Sequence, residues 1–264
     1  MEANGHGRKG TVLACEFLGT AFFIFGIMMT NLPITIPFSL LASVVIWGDI
    51  TGGHFNPAVT IGVFVSRKQY AEDFLFMALI MIAQICGGFF AIALAWAGLY
   101  DNPDPKIAVL APYNPATDGA DNISDKLDFT MDLNVVINEV ICTFIFISVI
   151  LMVKGQHTAG DRVGVGAAMC VVVTLMCVIA GTNKFGSCFN PAVGIALTTN
   201  QILFMGKQHY LYHYLYAYTL GPALGGLCAG IFHLFHAPLH EDEDVTEQFD
   251  ASQREKLVHA KGDY

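Results

Sequence analysis

The string Phe-Asn-Pro-Ala-Val occurs twice, as Phe55-Asn56-Pro57-Ala58-Val59 and as Phe189-Asn190-Pro191-Ala192-Val193, and each copy interrupts an apolar stretch. Proline suits the first turn of a helix, where its missing N–H would be unpaired anyway. Asparagine is a favoured cap directly before that turn. Each string therefore predicts a helix start, with short helices of about two turns over 58–64 and 192–198. Exposed helix ends inside an apolar environment are tolerated only where they are buried in protein or line a water-filled cavity. A chain that makes such a break twice has few ways to fold.

Composition fixes what that environment is. Hydrophobic residues make up 54% of the 264 and charged residues 13%, against about a quarter charged in a soluble domain. Runs with few or no charges cover 11–30, 34–48, 74–100, 133–153, 163–183 and 211–235. Most are near the roughly 20 residues that cross a bilayer as a helix, and the second reaches that length if it continues to about 49–51. The expected fold is an all-α membrane protein with six transmembrane helices and two re-entrant half-helices. Six crossings place both termini on one side. Arg8, Lys9, Arg67, Lys68, Lys154 and Arg162 share that side, while Lys106, Lys126, Lys184 and Lys207 fall on the other. The excess predicts cytosolic termini.

The chain also repeats itself. Glu16-Phe-Leu-Gly-Thr20 pairs with Glu139-Val-Ile-Cys-Thr143, the two Asn-Pro-Ala strings pair, and Ala83-Gln-Ile-Cys-Gly-Gly88 pairs with Gly221-Pro-Ala-Leu-Gly-Gly226. Three crossings per half is odd, so the second half runs inverted. Such repeats converge at the bilayer midplane. Two half-helices meeting there would point the Asn56 and Asn190 amides and two positive dipole ends at one spot. Water would turn its oxygen to the amides, and a cation would be repelled. A carboxylate at helix depth costs roughly 2–3 kcal/mol or more unless satisfied. Glu16 and Glu139 are therefore expected to accept from the backbone of the re-entrant loops. A coupled transporter would need more ionisable groups at mid-membrane than these two and Asp49.

Around this core lie a cytosolic segment (1–10), a channel domain (11–236, repeats about 11–100 and 133–236) and an acidic cytosolic tail (237–264). The tail carries Glu241, Asp242, Glu243, Asp244, Glu247, Asp250, Glu255 and Asp263 against Arg254, Lys256 and Lys261, which predicts a solvated segment. The connection 101–132 holds a glycosylation sequon at Asn122 and a third Asn-Pro-Ala (Asn114-Pro115-Ala116), read as coincidence because no apolar half-helix follows. The seven cysteines form no Cys-x-x-Cys pair, so neither a disulfide framework nor a zinc site is indicated. They read as small buried hydrophobes, apart from Cys188 beside the second motif. No metal cluster, cofactor motif, phosphate loop, nucleophile–base constellation or nucleic-acid signature occurs, and enzyme activity is not expected.

Over about 11–236 the chain resembles the aquaporin, or major intrinsic protein, family. The matching text is Glu16-Phe-Leu-Gly-Thr20, Thr51-Gly-Gly-His-Phe-Asn-Pro-Ala-Val-Thr60, Ala83-Gln84, Gly186-Ser-Cys-Phe-Asn-Pro-Ala192 and Gly221-Pro222. The resemblance implies a homotetramer in the lipid bilayer with one pore per subunit for water or small neutral solutes, and a pore-lining role for His54. The family usually reads Asn-Pro-Ala-Arg at the second motif, where this chain has Val193. Counting from the motifs puts the other constriction positions at Ile36, Val178 and Ser187, with Phe38 or Cys177 as alternatives if the count slips by a residue or two. This Arg-less set most resembles the tonoplast-intrinsic branch. Gly194 stands where glycerol facilitators carry Asp. The resemblance thus implies a permissive pore for water and solutes such as urea, ammonia, glycerol or hydrogen peroxide, and leaves the resident membrane open.

Overall fold

The computed structural model describes residues 5–30, 32–68, 70–99, 110, 129–155, 165–181, 186–204 and 213–237. Within them the apolar stretches are helical and no strand occurs. The helices are α1 (Gly5–Met28), α2 (Thr35–Thr51), α3 (Pro57–Arg67), α4 (Tyr70–Gly98), α5 (Phe129–Gly155), α6 (Val165–Gly181) and α7 (Pro191–Phe204), followed by α8 (Leu215–Ala237). The Asn122 sequon, the third Asn-Pro-Ala and the acidic tail lie outside the described residues.

Four stretches are long and apolar enough to cross a bilayer unaided: Arg8–Met28, Asp73–Gly98, Asp132–Val153 and Leu215–Ala237. α2 and α6 have 17 residues each, about 25 Å at 1.5 Å per residue. They complete the bundle by packing, α2 against α1 and α6, and α6 against α5. α2 stops where Gly52 turns left-handed at φ 88° and returns its N–H to the Gly48 carbonyl at 2.8 Å. That turn sends the chain back into the bundle instead of out of it.

The bundle is apolar outside, and buried carboxylate and amide side chains sit inside among its apolar core. Val45, Leu75 and Phe235 are 72%, 70% and 73% exposed, whereas Glu16, Gln84 and Glu139 are fully buried. An exterior of this kind is stable against lipid chains and not against water, so the chain is an integral membrane protein. Cysteine follows the same logic. Cys86, Cys170, Cys177 and Cys228 are exposed rather than buried as expected, because a thiol on a lipid-facing surface behaves as a small hydrophobe.

The half-helices α3 and α7 start at Pro57 and Pro191 as the sequence predicts, but they run for 11 and 14 residues. Lys68, left-handed at φ 60°, ends α3. α7 continues past Thr198 because the polar residues after it find partners within the bundle. Trp96 Nε1 donates to Asn200 Oδ1 at 2.7 Å, and Gln201 Nε2 donates to the Leu110 carbonyl at 3.1 Å. Each half-helix packs against the third helix of the opposite half through a glycine. A Cβ at Gly88 of α4 would sit 3.3 Å from the Ala192 carbonyl, and one at Gly226 of α8 would overlap the Ala58 carbonyl.

Candidate functional site

Asn56 caps α3 from extended backbone (φ −159°, ψ 118°), its Oδ1 accepting from the Ala58 N–H at 2.8 Å. Asn190 does the same for α7, accepting from Ala192 at 2.9 Å and Val193 at 3.4 Å. The amide nitrogens then reach across the molecule. Asn56 Nδ2 donates to the Phe189 carbonyl at 2.8 Å, and Asn190 Nδ2 donates to the Phe55 carbonyl at 2.9 Å. These reciprocal bonds lock the two half-helix N-termini together. An amide nitrogen has two protons, so each asparagine keeps one beyond this clasp.

The clasp needs Phe55 and Phe189 to present their carbonyls to the other half, and both residues have positive φ, 48° and 53°. Left-handed backbone at a bulky residue costs of order 1–3 kcal/mol and persists only when its surroundings fix it. The two buried glutamates do so. Glu16 accepts from the His54 N–H at 3.1 Å and the Phe55 N–H at 2.8 Å. Glu139 accepts from Cys188 at 2.7 Å and Phe189 at 3.0 Å. Each carboxylate thus holds the two residues before its Asn.

Beside the clasp lies a cavity of about 210 Å³ whose wall includes Asn56, Asn190, His54, Ser187, Cys188 and Val193. Ile36 lines it from α2. Pro57, Ala58, Pro191 and Ala192 sit behind the wall as the buried first turns of α3 and α7. The His54 ring is oriented by Thr60, Nδ1 lying 3.2 Å from the hydroxyl. Cys188 Sγ lies 3.4 Å from the Tyr218 carbonyl and 3.8 Å from Glu139 Oε2. Among the described residues no group of three side chains suited to a metal ion occurs.

One sequence expectation moves. The cavity face of α6 is Ala168, Val171, Val172, Leu175 and Ile179, and Val178 is not on it. Adjacent helical residues are turned by about 100°, so a gap-free count that lands one residue short changes the face. The alternatives Phe38 and Cys177 are exposed and do not line the cavity either. Two contributions escaped sequence reasoning. Leu110, from the long connection, lines the cavity and is buried, with its carbonyl held by Gln201. Asn138, directly before Glu139, donates its amide N–H to the Ser187 hydroxyl. An Asn in an otherwise apolar span was the available signal for the second, and nothing local marked the first.

Comparison with known proteins agrees with this architecture. The profile described as Major intrinsic protein matches residues 6–233. The chain is 29% identical over 240 residues to Aquaporin-1 of Rhizophagus irregularis, covering 83% of this chain and 75% of that protein. It is 31% identical over 194 residues to Glycerol uptake facilitator protein-like 6 of Lactiplantibacillus plantarum, covering 68% and 79%. The crystal structure of the aquaglyceroporin from Plasmodium falciparum superposes with a TM-score of 0.64 at 21% identity, over 88% of this chain and 98% of that one; this likeness concerns the fold. The chain belongs to the major intrinsic protein family, membrane channels for water and small solutes.

Proposed function

We propose that this chain is a passive channel for water and for at least one further small neutral solute among urea, ammonia, glycerol and hydrogen peroxide. The observation that carries the reading is the cavity wall, where Ile36, Ser187 and Val193 stand together with no guanidinium among them. A fixed cation at the Val193 position would narrow the passage and reserve it for strong acceptors. Valine leaves it apolar and wider, which lowers the barrier to less polar or larger solutes.

Ion and proton exclusion then rests on the paired loops. The α3 and α7 N-termini direct their positive dipole ends at the Asn56–Asn190 clasp, and an ion must shed water to pass an apolar ring. The remaining amide protons of the two asparagines hold the oxygen of a passing water and so turn its protons outward. Loop-charge asymmetry supports cytosolic termini, with the channel domain over 11–236 between a short N-terminal segment and the acidic tail. Membership of the family supports a homotetramer with a pore in each subunit.

Purified protein in proteoliposomes should raise the water shrinkage rate above that of bare lipid and admit one or more of the four solutes. Val193→Arg should suppress the solute more than water. Wild type that passes water alone, with all four solutes tried, would overturn the permissive reading. No increase over bare lipid would overturn the channel reading for this chain.

A further inference from the structure

Behind Ser187 runs a chain of polar side chains that the first half of the molecule lacks. The Cys142 thiol donates to Asn138 Oδ1 at 3.7 Å. Asn138 Nδ2 then donates to Ser187 Oγ. By the internal repeat, Asn138, Cys142 and Ser187 correspond to Cys15, Gly19 and Gly53, which cannot build such a chain. Among the described residues that line the cavity, Ser187 is the one that carries a hydroxyl.

We propose that Asn138 is a positioning residue for solute selection, pinning Ser187 Oγ so that it offers the cavity one fixed acceptor. This rests on the reading of Ser187 as a selectivity residue. A free serine side chain rotates among three staggered wells, and only some of them turn its oxygen to a passing solute. A hydroxyl has one proton and two lone pairs. The Asn138 amide fills one lone pair, so the second is left for the cavity. On a cavity wall that is mostly apolar, Ile36 and Val193 included, that acceptor suits solutes bearing N–H groups. Urea and ammonia are the chemistry it recognises. Asn138 touches neither solute nor cavity and acts only through Ser187.

The test is a double-mutant comparison in proteoliposomes of the full chain, with urea and water permeability measured for wild type, Asn138→Ala, Ser187→Ala and the double variant. Each single change is expected to lower the urea-to-water ratio by about 2- to 10-fold, the range of one hydrogen bond. The double variant should fall no further than Ser187→Ala alone. A general loosening of the bundle would lower both fluxes and leave the ratio in place. If Asn138→Ala shifts the ratio by the same factor with and without Ser187→Ala, or does not shift it, the proposal fails while the Ser187 reading stands. If Ser187→Ala leaves the ratio unchanged, the selectivity reading of Ser187 fails and the proposal with it. Should Asn138→Ala not reach the bilayer, Asn138→Ser is judged by the same ratio. Wild type passing neither urea nor ammonia would overturn the permissive reading and this proposal together.

Discussion

The two halves share one scaffold and fill it differently. In both, a buried glutamate holds two loop N–H groups, a positive-φ phenylalanine presents its carbonyl, and an asparagine caps a half-helix. Around the first glutamate the partners are side chains. Gln84 Nε2 donates to Glu16 at 2.8 Å and to Thr60 Oγ1 at 3.0 Å, and Thr60 lies beside His54. By the repeat, Pro222 and Gly194 stand where Gln84 and Thr60 do, so no such network forms. The second half uses Cys188 and the Tyr218 carbonyl instead, and places Ser187 and Val193 on the cavity wall. The shared parts shape the backbone. Among the unshared parts, the first half is braced by buried amide and hydroxyl groups, and the second puts Ser187 and Val193 on a cavity wall that Ile36 and His54 of the first half complete.

The largest effect that would break this comparison lies at the glutamates. Removing one partner of a buried, hydrogen-bonded charge costs about 3–5 kcal/mol, and here it also strands loop N–H groups. Glu139→Leu strands those of Cys188 and Phe189. Glu16→Leu strands those of His54 and Phe55 and also frees Gln84. Both variants should lose yield and thermal stability in detergent, Glu16→Leu the more severely. A stable, well-expressed Glu139→Leu channel that merely changes solute preference would show that the second carboxylate does not shape its loop.

Next comes the packing of third helix on opposing half-helix. Gly226 leaves no room for a Cβ beside the Ala58 carbonyl, whereas one at Gly88 would meet Ala192 and Ala196 at 3.3 and 3.2 Å, a displacement of a few tenths of an ångström. Overpacking typically costs about 1–3 kcal/mol. Gly226→Ala should therefore lower the unfolding temperature clearly, and Gly88→Ala less. Equal shifts for the pair would mean that the two contacts relax alike and that the halves are closer to symmetric than the static packing suggests.

How much of this was legible in the sequence follows from where the information is local. Pro57 and Pro191 preceded by Asn, and a matched Glu in the first helix of each half, mark helix starts and buried acceptors by their own chemistry. The cap, the loop cradle and the six-plus-two layout were readable from them. The ends of α3 and α7 were not, because Asn200 and Gln201 look like a stop until Trp96 and Leu110 come within reach. The cavity wall was readable where a residue lies within three positions of the motif, as Ser187 and Val193 do. On α6, farther from that anchor, one residue of slip turned the face from Ile179 to Val178. Leu110 reaches the cavity only through the tertiary path of its connection, and no pattern in the chain encodes that path.

The smallest effect is expected at Thr60, where the bracing of the first half can be reduced without moving its backbone. Thr60→Val keeps the shape and removes the hydroxyl. His54 Nδ1 and Gln84 Nε2 then each lose one partner, while Gln84 keeps Glu16. A single neutral hydrogen bond contributes about 0.5–1.5 kcal/mol, so the unfolding temperature should drop by far less than in Glu16→Leu. Loss of the Thr60 contact to the His54 ring should cut water permeability by no more than about 10-fold. Selectivity should stay in place, since the residues proposed to set it on the second half are untouched. Proteoliposome shrinkage in water and urea gradients, alongside detergent unfolding, reads all three quantities. A changed urea-to-water ratio in Thr60→Val would move part of the selectivity to His54 and undo the division between a braced half and a selecting half. The converse change at Gly194 cannot be this mild, because a side chain there meets the Tyr218 carbonyl; the hydroxyl of the first half is dispensable where the bare glycine of the second is not.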